Sequence, residues 1–327
     1  MKYSSSSSSS SSILRSLSFG IPMRLSAASS AVVPLPIRSS FDRQLTAELD
    51  ALQLSSSASS NESHYTWILQ ALKASTTAQQ ITLASLANHG PLQDSDRKII
   101  DQYLDSNISM LDACNELTER IEIVHNYVES LRVVSHLLEG SAELHPATLA
   151  RIGGALDSCR VMERRGKEMG NCSSGLKKIL RQMQDSRLGE MLSGSMALTS
   201  TVCAILENAL SFKSKRGLLP LMQPQSQKTS WSCSLQQLQN GVKEQGKTSS
   251  IIGLFELQQL VKVSTSLRDQ MKHRKQNDHQ LRVDVEEMKR SCGKMEEGIK
   301  PLEESVKELY RSLISVRMAL LGILSQI

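Results

Sequence analysis

Aromatic side chains are nearly absent: Phe, Tyr and Trp together make up 3% of the 327 residues. Sheets lean on β-branched and aromatic side chains, so this interior has to be built from Leu, Ile, Val, Met and Ala, which suits packed helices. Proline is scarce as well, with eight in the chain. Pro22, Pro34 and Pro36 fall in the first forty residues and Pro220 and Pro224 mark a break, which leaves long stretches open to helix. The six cysteines form no CxxC pair, and no two lie closer than thirteen residues. That excludes zinc-site spacing and reads as separate free thiols in a reducing compartment.

Catalytic signatures are missing too. There is no nucleophile elbow, phosphate loop or dinucleotide fingerprint. One E-x-x-H, Glu122 to His125, puts two metal-capable side chains on one helix face. A carboxylate-bridged di-metal bundle needs two such motifs and two further glutamates, and no second copy is present. The expectation is therefore no enzyme, no cofactor and no metal site.

Acids are missing from one region only. Residues 1–40 carry Lys2, Arg15, Arg24 and Arg38 and no acid, so +4 of the net +5 sits there and the other 287 residues net +1. A nearly neutral body short of aromatics lacks the basic face and stacking platforms of a nucleic-acid binder. The same forty residues hold nine consecutive serines, Ser4 to Ser12. Serine competes with its own backbone for hydrogen bonds and buries nothing apolar, so this tail is expected to be disordered. It has no apolar stretch of secretory-signal length, which argues against secretion. A Ser-rich, Arg-containing, acid-free start fits an organellar transit segment. It fits equally a regulatory tail, with Ser16 and Ser18 behind Arg15 as candidate phosphorylation sites. Localisation is thus evenly divided between a plastid and the cytoplasm or membrane periphery.

From Phe41 the apolar periodicity is helical, which predicts one all-helical domain over 41–327 with a Pro/Gln/Ser-rich break at 217–230. A first helix, FDRQLTAELDALQL, precedes one through Trp67, Leu69, Leu72 and Ile81 that stops near His89-Gly90-Pro91. A long third helix starts at Asp94 or Ser95 and is expected to bury Ile100, Leu104, Ile108, Leu111, Thr118, Ile121, Val128, Leu131 and Leu138. Beside that stripe Asp101, Asp105, Asp112, Glu116 and Glu119 form an acidic ridge, either hydrated or facing a basic neighbour. Gly140 ends this helix, and Pro146 opens another that runs to about Gly170.

Residues 160–187 then gather eight bases against three acids, a local net of +5. One reading is a solvated helix pair facing the acidic ridge. The other is contact with an anionic partner or lipid surface through Arg160, Arg164, Arg165, Lys167, Lys177, Lys178 and Arg181. Directly after it, MLSGSMALTSTVCAIL (191–206) holds sixteen uncharged residues, five of them Ser or Thr. A membrane span needs about 20 mostly apolar residues, so a buried core helix is the expectation, with membrane association through 160–212 as the alternative.

The strongest pattern comes last. Leu281, Val285, Met288, Cys292, Met295, Ile299, Leu302, Val306, Leu309, Leu313, Val316, Leu320, Ile323 and Ile327 step by fours and threes without a miss. Leu257, Leu260, Leu267 and Met271 share the register, with Ser264 in a core slot. A sustained heptad predicts long helices packed along a seam. Gly293, Gly298 and Pro301 argue against one straight rod, so two antiparallel helices, roughly 250–292 and 301–326, are expected. The cluster Lys272-His273-Arg274-Lys275 is placed on the surface of the first.

Three stretches, YLDSNISMLDACNELTERIE (103–122), the Trp231-to-Leu260 segment and GIKPLEESVKELYRSLISVRMALLGIL (298–324), together resemble the plant BYPASS-like family and its exocyst-interactor relatives. SFGIPMRL (18–25) is similar to a short N-terminal phrase of that family. The resemblance implies an all-helical protein without an established enzymatic activity, acting in root and shoot development, in some members with exocyst partners. The serine run departs from the family pattern, and 191–206 is more polar than the apolar stretch expected there. The function expected on this basis is a non-enzymatic helical regulator or adaptor acting through protein contacts, with exocyst subunits as candidate partners. Two alternatives stand: an organellar protein affecting production of a small mobile signal, and a protein in peripheral contact with a membrane.

Overall fold

The computed structural model describes residues 39–58, 64–88, 94–139, 145–169, 186–212, 229–248, 254–273 and 278–325. Among them eight α-helices follow one another: α1 (Ser40–Ala58), α2 (His64–Ala87), α3 (Asp94–Glu139), α4 (Pro146–Glu168), α5 (Arg187–Ala209), α6 (Ser230–Thr248), α7 (Phe255–His273) and α8 (Asp278–Leu324). No strand occurs among the described residues. The Ser-rich start, most of the break at 217–230 and the side chains of the 272–275 basic cluster lie outside them.

Among the described helices α3 and α8 are the longest, with 46 and 47 residues and about 70 Å each. They run antiparallel. The Asn107 amide donates to the Leu313 carbonyl (3.2 Å) and the Arg317 guanidinium to the Leu104 carbonyl (2.8 Å). Towards the other end Arg132 pairs with Glu296 (3.4 Å) and Lys289 with Glu139. The heptad stripe from Val285 to Leu320 is buried at every step. It packs on α3, α2 and α7, so the seam closes within one chain. Each such aliphatic side chain contributes about 1.5–3 kcal/mol on leaving water.

The expected break near residue 300 is not there. α8 is continuous through Pro301. The interruption falls earlier, between α7, which ends at His273, and α8, which begins at Asp278. Gly298 has a packing reason instead: the Tyr65 ring of α2 lies where a side-chain carbon at 298 would stand. The Tyr65 hydroxyl donates to the Met295 sulfur, one turn earlier (2.6 Å). Pro301 lacks the N–H for an intrahelical bond, and it lies exposed on the helix's outer side. On α3, Ile108 also departs from expectation: it is 46% exposed, although its stripe neighbours Ile100, Leu104, Ile121, Val128 and Leu131 are buried.

α5 is the central helix. It packs on α1, α2, α3 and α6, and nearly every residue from Leu188 to Ala209 is buried. Ser186 caps its start, accepting from the Gly189 amide (2.9 Å). Among the described residues it is the one helix long and apolar enough to cross a membrane, yet 89% of that apolar window is buried inside the protein. Two of its threonines have side-chain partners on neighbouring helices. Thr199 bonds Ser75 (2.9 Å) and Gln79 (2.8 Å) of α2, and Thr201 accepts from Gln239 of α6 (3.0 Å). Tyr103 of α3 completes the group by donating to Gln79 (3.2 Å). The polarity that makes 191–206 look unlike a membrane span is thus used inside the bundle.

Candidate functional site

Pro146 stands at the first turn of α4, with its fixed backbone angle and its missing N–H where neither is a penalty. Ile152, Leu156, Cys159, Glu163 and Gly166 form the buried stripe of α4 at steps of three and four. That stripe packs on α3 and α7, which leaves the opposite face of α4 to solvent. Gly166 is required for the fit, because a side-chain carbon there would meet the Phe212 ring at 2.5 Å.

At the centre of the buried stripe is a charge. The Glu163 carboxylate accepts from Arg268 of α7 (2.5 Å), from Tyr127 of α3 (3.2 Å) and from Ser264 (3.3 Å). Tyr127 and Ser264 also bond each other (2.9 Å). Burial, and then the Glu163 charge, push the Tyr127 hydroxyl well above its ordinary range. The Cys159 thiol, which reaches the Tyr127 carbonyl, is pushed up to about 12, by burial first and by Glu163 second. In the sequence Glu163 is only one acid in a basic stretch. The available signal was Ser264, a polar residue in a core slot of the α7 heptad.

Arg160, Arg164, Arg165 and Lys167, and Arg151 one helical stretch earlier, are all exposed. Arg165 reaches across to Glu119 at the end of the acidic ridge (2.6 Å). Arg151, Arg160 and Arg164 have no ion-pair partner among the described residues. Between them Val161 stands 62% exposed. Lys177, Lys178 and Arg181 lie outside the described residues, as do Ser16 and Ser18. On the ridge itself Asp101, Asp105 and Asp112 are exposed, while Glu116 and Glu119 are half-buried. Burial holds the Glu116 carboxyl above its usual range against the lowering effect of Arg120. Arg120 is buried and pairs with Glu207 of α5 (3.8 Å).

Two other places have the materials of a site. Glu122 and His125 lie on α3 facing solvent, and no group of three metal-capable side chains occurs among the described residues. At one end of the bundle a cleft of about 480 Å³ opens where α1, α3 and α5 begin, with Gln44, Asn88, Asp96, Arg187 and Glu190 on its wall. Two of the helix starts there are capped by the chain: Ser39 accepts from the Asp42 amide of α1 (2.9 Å), and Ser186 from the Gly189 amide of α5 (2.9 Å). The arrangement is that of capped helix ends. It brings together no nucleophile, base and orienting group of the kind hydrolytic chemistry uses.

No curated protein and no solved structure matches the chain. Residues 51–323 match the family model described as Protein BPS1, and this span contains α2 to α7 whole and all but the last residue of α8. The resemblance read from residues 103–122, 231–260 and 298–324 therefore falls inside one matched region. The chain belongs to the Protein BPS1 family.

Proposed function

We propose that this protein is a non-enzymatic helical regulator of plant development that works as an adaptor, with the outward face of α4 as a contact surface for an anionic protein partner. Family membership supports the developmental role. The observation that carries the adaptor reading is the set of exposed arginines, Arg151, Arg160 and Arg164, which no acid of the described chain neutralises. Exposed charge of one sign steers a partner of the other and selects it, with a salt dependence that reveals the contact. Exocyst subunits are the partner class proposed for the test.

Immobilised full-length protein is expected to retain exocyst subunits from plant extract at low salt and to release them as salt rises. The double variant Arg160→Glu/Arg164→Glu is expected to weaken retention about tenfold or more. Its melting temperature is expected to stay within about a degree or two of the parent, because surface changes of this kind cost little stability. Unchanged retention by a folded double variant would remove α4 from the function.

A further inference from the structure

We propose that the outward face of α4 is a docking groove for an acidic α-helix of the partner. This rests on the adaptor reading above and names the chemistry of what binds there. Down the middle of the face run Ala150, Gly154, Asp157, Val161 and Glu168, at helical steps of three, four and seven. A side-chain carbon built on Gly153 or Gly154 meets nothing within 4 Å. The first half of the strip is therefore a shallow open floor, and the distance between two packed helices is set by the side chains at their contact. An exposed mid-helix glycine costs about 0.5–1 kcal/mol relative to alanine. Gly166, which is buried, has its use in admitting Phe212; the adjacent pair Gly153-Gly154 packs against nothing among the described residues, and a close-approaching outside helix gives it a use.

The flanks carry the charge. Arg160 and Arg164 border the strip on one side, and Arg151 on the other, where Arg165 is already held by Glu119. Arginine's planar fork binds carboxylates in pairs of parallel hydrogen bonds, so Arg160 and Arg164 on one flank and Arg151 on the other match a helix with carboxylates at its flanks. An anionic lipid surface fits less well. Asp157 and Glu168 point outward from the centre line, where a flat contact would press them onto phosphates. A helix can place small or basic residues over those two acids and keep its own acids for the arginines.

Full-length protein carrying the photocrosslinking residue p-benzoylphenylalanine in place of Ser158, at the rim of the strip, is irradiated in plant cells and its adducts are mapped. The expected adduct is a protein segment of helical period with carboxylates three and four residues apart. Arg160→Glu/Arg164→Glu and Gly154→Leu are each expected to cut it about tenfold or more. The second keeps every charge and fills the floor, and circular dichroism checks that both variants fold. Loss with charge reversal but not with Gly154→Leu would leave the adaptor reading standing and overturn the groove. No effect of either variant would overturn both. Adducts on lipid, or binding to phosphatidylcholine vesicles with about one-fifth phosphatidylserine that Gly154→Leu strengthens, would overturn the helix partner in favour of a membrane.

Discussion

Glu163 shows how one residue can hold three helices in place. Its carboxylate ties α4 to Tyr127 of α3 and to Arg268 and Ser264 of α7, in a site where its side chain is 7% exposed and that of Arg268 14%. Removing one member of such a pair strands the other charge, so Glu163→Ala is expected to lose about 3–5 kcal/mol in chemical denaturation. Glu163→Met with Arg268→Met is expected to lose far less, because nothing is left unpaired. Equal losses would mean that packing around the pair, not the stranded charge, sets its worth. The buried thiols give a second residue-scale outcome. Cys159 and Cys292 are both pushed up to about 12, chiefly by burial. In the unfolded chain a thiol ionises near 8.5, so from about pH 8.5 upward the unfolded state releases protons that the folded state keeps. Stability is therefore expected to fall as pH rises from about 8.5 towards 12. The double variant Cys159→Ala/Cys292→Ala should flatten that fall, as followed by melting temperature.

Among elements, α8 separates what a glycine or proline suggests from what it does. Gly293 and Gly298 are spaced five apart on one helix and read alike in the sequence, yet their surroundings differ. A side-chain carbon at 293 meets nothing, while at 298 it collides with Tyr65. Gly293→Ala is expected to stabilise by about 0.5–1 kcal/mol through helix propensity. Gly298→Ala is expected to destabilise by about 1–3 kcal/mol, since an overpacked ring must shift. Adding Tyr65→Ala should remove that extra penalty, because the clash and the ring leave together. Urea titrations of the three variants check the set, and a stabilising Gly298→Ala would mean that Tyr65 does not pack against α8 in solution. Pro301 is tolerated on the same helix because it sits on the outer side, while Leu302 behind it stays buried.

For the whole molecule the decisive helix is α5. Its length and mean hydropathy reach those of a membrane span, but four other helices cover it and its Thr199 and Thr201 hydroxyls bond Gln79, Ser75 and Gln239 inside the bundle. Pulling it into lipid would expose those helices' apolar faces and strand their polar partners. The protein in plant membranes is therefore expected to be released by alkaline carbonate. Retention in the pellet would put the membrane-associated alternative ahead of the core-helix reading.

The all-helical class, the first five helix positions and the α8 stripe were legible in the sequence because period and composition are local properties: Val285, Met288 and Leu302 lie on one face whatever they meet. The boundary between α7 and α8 is not legible there, because the backbone preferences of Gly298 and Pro301 point to a break that the helix does not make. Whether a glycine breaks a helix or admits a neighbour depends on a tyrosine more than two hundred residues away. Likewise the bases of α4 could be counted in the sequence. Only the packing of α4 on α3 and α7 decided that Arg165 meets Glu119, that Glu163 turns inward to Arg268, and that Arg151, Arg160 and Arg164 face water. Charge is written in the chain residue by residue, but its pairing depends on which helices lie side by side.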